Sequence, residues 1–111
     1  MTAFLMNLVA PERLLFAEQV DQVDLPGVEG DLGVLSGHAP IVTLLRPGIV
    51  ATIDGARRER FVVLGGLAEF SNEQLTIVAE TAFSVLEAEI AQNQKMQDYL
   101  HMALDQLEAG K

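Results

Sequence analysis

The chain has 111 residues, half of them apolar, and its sixteen acidic and seven basic side chains give a formal net charge of −9. This composition suits one folded domain and excludes a largely disordered chain. Cysteine is absent, which excludes disulfides and thiolate chemistry, and the acidic balance disfavours nucleic acid, whose phosphates need clustered Lys and Arg. The apolar runs are shorter than the roughly 18 residues of a membrane helix, and no basic leader precedes Arg13, so we expect neither a spanning segment nor a secretory signal.

Short apolar runs separated by Gly and Pro fill residues 1–83 and predict strands. Asp54-Gly55 and Asn72-Glu73 fall between neighbouring runs and predict tight hairpins. Phe61–Leu64 is apolar on both faces, so its strand is either central or covered on its second face. Strands this short at regular spacing favour an antiparallel sandwich or flattened barrel. The predicted strands are Ala3–Val9, Arg13–Ala17, Glu18–Leu25, Ile41–Leu45, Ile49–Ile53, Arg58–Leu64, Leu67–Ser71 and Gln74–Ala79.

The pattern changes near residue 84, where the apolar period becomes about 3.6 and proline disappears. Ser84 and Glu87 match a capping box, and an apolar stripe at helical spacing follows them. The polar stretch Ala91–Lys95 leaves open whether this part is one helix or two. We therefore predict two parts, a β-sandwich domain over 1–83 and a helical segment over 84–111.

A glycine-rich stretch between the predicted strands has a superficial likeness to a phosphate loop. Gly27, Gly30 and Gly33 lack the Lys-Ser/Thr pair that would follow them in such a loop. Glu29 and Asp31 would also repel a phosphate. We predict instead a tightly turned loop between strands that holds two carboxylates at an exposed tip and serves binding rather than catalysis.

The remaining polar candidates predict surfaces rather than reaction chemistry. His38 and His101 fall in different segments, so neither a metal site nor a catalytic pair is expected, and His38 is assigned a structural or interface role. Arg57, Arg58 and Arg60 follow the Asp-Gly turn. They predict either a charged edge strand protected from aggregation or a docking point for an acidic partner.

The stretch Gly27–Gly48 carries a longer motif: Pro-Gly-x-x-Gly-acid-x-Gly-x-Leu, then Gly-His-Ala-Pro, then Leu-x-Pro-Gly. This motif resembles the signature of the epsilon subunit of F-type ATP synthases. The resemblance extends to Val9–Glu12, to Val63–Gly66 with Glu69, and to Thr76–Ala82, so that it covers residues 1 to about 83.

The resemblance implies a mostly β fold with some α: a sandwich of about ten strands followed by a short C-terminal helical segment. It implies a non-catalytic subunit of the central stalk, without cofactor or metal, that binds the gamma subunit and the ring of c subunits. Such a subunit rotates with them and couples proton flow to ATP synthesis in the alpha/beta hexamer. It implies a peripheral location on the cytoplasmic face of the inner membrane, without direct insertion into the bilayer.

The resemblance also implies two interfaces, both assigned by position in the motif. One faces the polar loops of the c ring and the other lies against gamma. The c-ring interface comprises Glu29, Gly30 and Asp31, and the gamma interface comprises His38, Ala39, Pro40 and Thr43.

The sequence departs from the family pattern after Ala82. Some relatives carry a nucleotide motif there, but Leu86–Ala91 has Glu87 in place of its Asp and Ile90 in place of its Arg, so ATP binding is not expected. The tail is also expected to inhibit hydrolysis weakly or not at all.

Two alternative functions remain less favoured. A sugar-binding sandwich would need exposed aromatic platforms, and the chain has no Trp and one Tyr. A small enzyme built on Glu29 or Asp31 lacks a companion base in the sequence.

Overall fold

Strands make up most of the structure, a computed structural model that describes residues 3–11, 13–86, 98, 100–102 and 104. Eight strands lie within those residues, in the sheet order β2-β1-β7-β6-β5-β3-β4, with β8 paired to β6. The strands are β1 (Phe4–Ala10), β2 (Arg13–Val20), β3 (Gln22–Gly27), β4 (Gly30–Leu35), β5 (Ile41–Asp54), β6 (Arg57–Ser71), β7 (Gln74–Ala79) and β8 (Ala82–Ser84).

Strands β5 and β6 are long, with 14 and 15 residues, and each contains two of the predicted strands. Their pairing skips Arg46 and Gly65, because Leu45 faces Gly66 and Pro47 faces Leu64. Arg46 and Gly65 stand opposite each other without pairing, and the register is the same on both sides, so the ladder is interrupted at this point and not shifted. If the two halves of each long strand are counted separately, the described residues contain the expected ten strands.

The two layers meet at this interruption. The first layer contains β2, β1, β7 and the segments 66–71 of β6 and 41–45 of β5. The second layer contains β8, β3, β4 and the segments 57–64 of β6 and 47–54 of β5. The mostly β sandwich predicted from the sequence is therefore confirmed.

Gly66 lies next to the interruption and has no room for a side chain. Its φ is 153°, and a β-carbon there would lie 2.5 Å from the carbonyl oxygen of Val78. Neither atom is part of a flexible side chain, so only glycine fits this corner without a backbone shift.

The interior between the layers is a single apolar cluster. Its large residues come from both layers. Two aromatic pairs pack edge to face in it: Phe4 with Phe70 within the first layer, at 5.4 Å between ring centroids, and Phe16 with Phe61 across the two layers, at 5.5 Å. Such pairs add specific geometry to the burial of apolar area. Thr52 is the one buried polar residue within the described part of the chain.

Three details of the predicted strands were wrong. Pairing of β1 with β7 is parallel, whereas the other described pairs are antiparallel, because local hairpin signals reveal neighbours and not the long-range partner. The predicted loop at Gly27–Gly33 is a turn followed by β4, which pairs with β3 from Gly27 onward. The break predicted after Ala17 falls instead at Asp21, whose carboxylate accepts the Gly55 N–H at 2.8 Å.

A second apolar cluster lies on the outer face of the second layer. Val62 is fully buried there and packs with Phe83, Val85 and Leu100. Because Val62 faces outward and Val63 inward, the strand containing Phe61–Leu64 is both central and covered on its second face, as its composition required. The residues that cover it from the C-terminal part are helical.

Several predictions for the C-terminal part lie outside the described residues. These are the Glu87 half of the capping box, the choice between one helix and two at Ala91–Lys95, and most of the diverged nucleotide motif at Leu86–Ala91. Within the described residues, no helix has the length and hydropathy needed to cross a bilayer.

Candidate functional site

An apolar row crosses the outer face of the first layer through five adjacent strands. Cα pairing aligns Leu14, Val9, Val78, Leu67 and Leu44 in that order. Directly paired residues lie on the same face of a sheet. Four of the five side chains are 43% to 62% exposed, and Val9 is half-buried. A contiguous exposed apolar patch of this kind is typical of a protein-binding surface.

Sequence reasoning missed this row. Each strand contributes one apolar residue to it, and that residue does not stand out along the chain: Val9 lies between Leu8 and Ala10, and Val78 between Ile77 and Ala79. The row exists only because the pairing registers align residues that are far apart in sequence. No period along the chain carries such a signal, since register between distant strands is a tertiary property.

The row extends at its β5 end. Val42 is 59% exposed and lies two residues from Leu44, on the same side of the strand. Val28, in the turn between β3 and β4, donates its N–H to the carbonyl oxygen of Leu44 at 2.9 Å and is itself 53% exposed. The turn that carries the predicted c-ring residues is thus joined to the end of the apolar row.

That turn holds its two acids in different environments. Glu29 is exposed in the turn, whereas Asp31 lies in β4 and forms an ion pair with the guanidinium of Arg46. Arg46 also donates to the carbonyl oxygen of Gly27 and so ties β5 to the hairpin. The prediction that Asp31 sits in an exposed loop tip is therefore wrong, although its side chain remains 54% exposed.

The predicted gamma residues lie on or just after the connection between β4 and β5. His38 is half-buried, with its ring edge-on to Phe70 at 6.0 Å and its Nδ1 2.6 Å from the carbonyl oxygen of Ala39. Ala39 and Pro40 are exposed. Thr43 is half-buried in β5 beside Leu44 of the apolar row.

Glu73 holds the connection between β4 and β5 in place through two hydrogen bonds. Its carboxylate accepts the Gly37 N–H at 2.7 Å and the hydroxyl hydrogen of Ser36. These bonds, first the one from Ser36 and then the one from Gly37, lower the pKa of the Glu73 carboxyl. Glu73 was not singled out by sequence reasoning, because its two partners lie more than 30 residues earlier in the chain.

The two predicted interfaces adjoin in the structure. A β-carbon on Gly27 would lie 3.6 Å from Oγ1 of Thr43. Val28 joins the β3–β4 turn to Leu44, so the turn and the apolar row form one continuous surface, which we call the docking surface. Thr43 adjoins this surface on the opposite face of β5, because it pairs with the buried Ala68.

Within the described residues, the stretch of β6 that carries Arg57, Arg58 and Arg60 pairs with β5 only, because the pairing with β8 begins at Phe61 and that with β7 at Gly66. The three arginines therefore lie on a charged edge of the sheet, one of the two alternatives predicted for them. Arg57 bonds both carboxylate oxygens of Glu18 at 3.0 and 3.3 Å and also contacts Glu59. The bond with Glu18 is the main cause of the raised pKa of Arg57. This pair joins β6 to β2 at the surface.

The described residues offer binding surfaces rather than reaction chemistry. No group of three or more metal-ligating side chains occurs among them. His38 contacts an aromatic ring and a carbonyl oxygen, and His101 is exposed in the helical part.

Comparison with known families matches residues 3–85 to the β-sandwich domain of the ATP synthase delta/epsilon chain. The chain is 69% identical to the ATP synthase epsilon chain 2 of Nitrobacter hamburgensis over 85 residues, which are 77% of this chain and 62% of that protein. It is 44% identical to the ATP synthase epsilon chain of Bradyrhizobium sp. strain ORS 278, with 100% of this chain and 91% of that one covered.

Solved structures share the fold at low sequence identity. A chain of the Euglena gracilis mitochondrial ATP synthase superposes with a TM-score of 0.73 and 23% identity, covering 98% of this chain and 81% of that one. A chain from the central stalk and c-ring of the Tetrahymena thermophila mitochondrial ATP synthase gives a TM-score of 0.64 and 14% identity, covering 79% and 71%.

Proposed function

Because the chain belongs to the family of ATP synthase delta/epsilon chain β-sandwich domains, we propose that it is the epsilon-type subunit of a proton-translocating ATP synthase. In this role it is an accessory subunit without an active site. It binds gamma and the c ring in the central stalk, turns with them, and helps couple proton flow to ATP synthesis in the alpha/beta hexamer. It lies at the cytoplasmic face of the inner membrane through these partners.

The observation that carries this proposal is the docking surface. Five aligned apolar side chains on a five-strand layer give a broad, rigid patch. Burying a large aliphatic side chain stabilises a complex by roughly 1–3 kcal/mol, so the row alone can contribute most of a stable interface. We assign gamma to this row together with His38, Ala39, Pro40 and Thr43.

The c ring is assigned to the neighbouring turn with Glu29, Gly30 and Asp31. Arg46 neutralises Asp31 in the free chain, so Glu29 is the acid we expect to contribute attraction toward basic groups on the ring. An exposed ion pair contributes about 0–1 kcal/mol. The turn therefore orients the subunit on the ring, and the apolar row supplies most of the affinity for the stalk.

Both surfaces belong to one hydrogen-bonded sheet. Strand β5 carries Thr43 and Leu44 of the gamma side, and its Arg46 holds the hairpin of the c-ring side. A load applied at one surface passes to the other through strands and not through a flexible linker. This continuity supports a role in transmitting torque.

We further propose that residues 1–83 form the binding domain and that 84–111 form a helical segment that inhibits hydrolysis weakly or not at all, and binds no ATP. The support is the packing of Leu100 against Val62 and Phe83. An arm that extended away from the sandwich would expose these buried side chains to water. That cost favours the docked arrangement.

The test is the affinity of the full chain for purified gamma, measured by titration calorimetry. Val78→Asp places a charge in the apolar row, and we expect affinity to fall at least about tenfold, since an unpaired buried charge at an interface costs more than 1.4 kcal/mol. Gln74→Asp is the matched control, because Gln74 is exposed on the same strand and face but outside the row. Wild-type affinity in Val78→Asp would contradict the assignment of gamma to this face.

A further inference from the structure

The turn between β6 and β7 contains a residue that does not suit it. Asn72 and Glu73 have φ values of 51° and 56°, in the left-handed region. Asn tolerates this region, but Glu has no such preference. A two-residue hairpin turn of this type favours Asn-Gly. The conformation of the turn therefore does not account for a glutamate at position 73.

Both oxygens of the Glu73 carboxylate are used. Oε1 accepts the Gly37 N–H at 2.7 Å, and Oε2 accepts the Ser36 hydroxyl hydrogen. The backbone carbonyl of Glu73 also accepts the Leu5 N–H at 3.3 Å. One residue thus joins the hairpin turn to the connection between β4 and β5 and to the start of β1.

The connection it holds is the one that presents His38. The His38 N–H bonds the carbonyl oxygen of Leu35 at 3.1 Å, and the His38 ring rests edge-on against Phe70, which lies just before the same hairpin turn. Glu73 and Phe70 therefore hold the connection from the same end of β6.

We propose that Glu73 is a positioning residue whose carboxylate fixes the connection 36–40 and thereby pre-forms the part of the proposed gamma interface that contains His38, Ala39 and Pro40. This inference rests on the proposed function, since gamma is the partner it invokes. A loop that is already ordered does not lose conformational freedom on binding, so its contacts contribute more fully to affinity. Both oxygens of the Glu73 carboxylate accept hydrogen bonds, which suits the ionised form. The lowered pKa of the Glu73 carboxyl agrees with this.

The decisive variant is Glu73→Gly in the full chain. Glycine removes the carboxylate but suits the turn better than glutamate does. We expect the amide of Gly37 to exchange its hydrogen about tenfold faster, the melting temperature to stay equal or rise, and affinity for gamma to fall about fivefold, the factor that one lost hydrogen bond carries. Stability and affinity then move independently, which a merely structural role for Glu73 does not produce.

Two further variants complete the test. Glu73→Gln keeps an amide oxygen that can accept the Gly37 N–H, so exchange and affinity should lie between those of wild type and Glu73→Gly. Glu80→Gln removes the same charge at an exposed position away from the connection and should leave both unchanged.

Each contrary result has a distinct meaning. An unchanged rate of amide hydrogen exchange at Gly37 in Glu73→Gly would show that the Glu73 carboxylate does not hold the connection, and would overturn the proposal. Faster exchange with wild-type affinity for gamma would show that the connection is not positioned for that partner and would overturn the proposal while the proposed function stands. An equal loss of affinity in Glu80→Gln would attribute the effect to bulk charge and overturn it as well. Failure of the wild-type chain to bind gamma would overturn the proposed function, and the role of Glu73 in recognition with it.

Discussion

The outer faces of the two layers carry similar aliphatic side chains in different surroundings. On the second layer, Ile49 and Val62 are buried beneath Val85 and Leu100. On the first layer, Leu44, Leu67 and their aligned neighbours are exposed, and nothing in the described chain covers them. The chain supplies a cover for one apolar face and leaves the other for a partner. An apolar face therefore identifies a partner surface only when the chain's own cover has been accounted for.

The difference also separates stability from recognition. Residues on the covered face contribute to the free energy of unfolding, because water reaches them only when the chain unfolds or the helical part detaches. Residues on the open face are already in water, and their burial contributes to association. The same kind of substitution should therefore lower the free energy of unfolding on the covered face and the affinity for the partner on the open face.

The sharpest test uses two positions of the same strand. Val62→Asp buries an unpaired charge on the covered face and is expected to cost more than about 4 kcal/mol of the free energy of unfolding. Leu67→Asp, on the open face, should change it by less than about 1 kcal/mol. Urea denaturation of both variants gives the comparison, and similar losses in the two would show that the open face is covered in the free chain.

The backbone at Gly66, where the two layers meet, should also be sensitive to substitution. Gly66→Ala combines a strained φ with a clash against the carbonyl oxygen of Val78, and we expect a loss of about 3 kcal/mol. Gly55→Ala is the control, because Gly55 also has a positive φ, 62°, but has no atom within 4 Å of the added carbon. Strain alone should cost about 1 kcal/mol. Equal losses by thermal unfolding would remove the clash from the explanation.

A third prediction concerns Leu100, which belongs to the helical part that covers the second layer. Leu100 is 4% exposed, and Leu100→Ala should cost about 2 kcal/mol, the low end for a buried leucine, because the helical part can detach without unfolding the sandwich. Met102→Ala, at a residue 41% exposed on the same helical part, should cost less than about 0.5 kcal/mol. A negligible effect of Leu100→Ala would mean that the covered face is stable without its cover, and that residues 1–83 can stand alone.

The smallest expected effect lies at the edge of the open face and depends on pH. Because the folded pKa of Glu73 is lowered, its stabilising contribution is present above the ordinary pKa of the carboxyl and is lost as pH falls through the lowered value. The difference in melting temperature between wild type and Glu73→Gln should thus be constant from about pH 7 to about pH 5 and shrink below about pH 4. The same trend in Glu80→Gln would assign the effect to net charge.

Local pattern was sufficient for much of this architecture. Alternation and Gly/Pro punctuation placed most strands, and Asn72-Glu73 forms the turn between β6 and β7 as predicted. The turn between β5 and β6 is Gly55-Ala56, one residue later than predicted, because Asp54 is still paired with Arg57. The two-faced run Phe61–Leu64 correctly indicated a strand covered on both sides. These features are short in range, so adjacent residues encode them.

Tertiary structure alone decided the rest. The apolar row requires the registers of five strands, one of them paired in parallel to a distant segment. The ion pair of Asp31 with Arg46 and the hold of Glu73 on Gly37 join residues that are 15 and 36 positions apart. The sequence by itself determined most of the strand segments, though not β4 or β8, and the family to which the chain belongs. It did not determine which apolar face stays open, because that depends on which distant segments come to lie against each layer, and no local period records it.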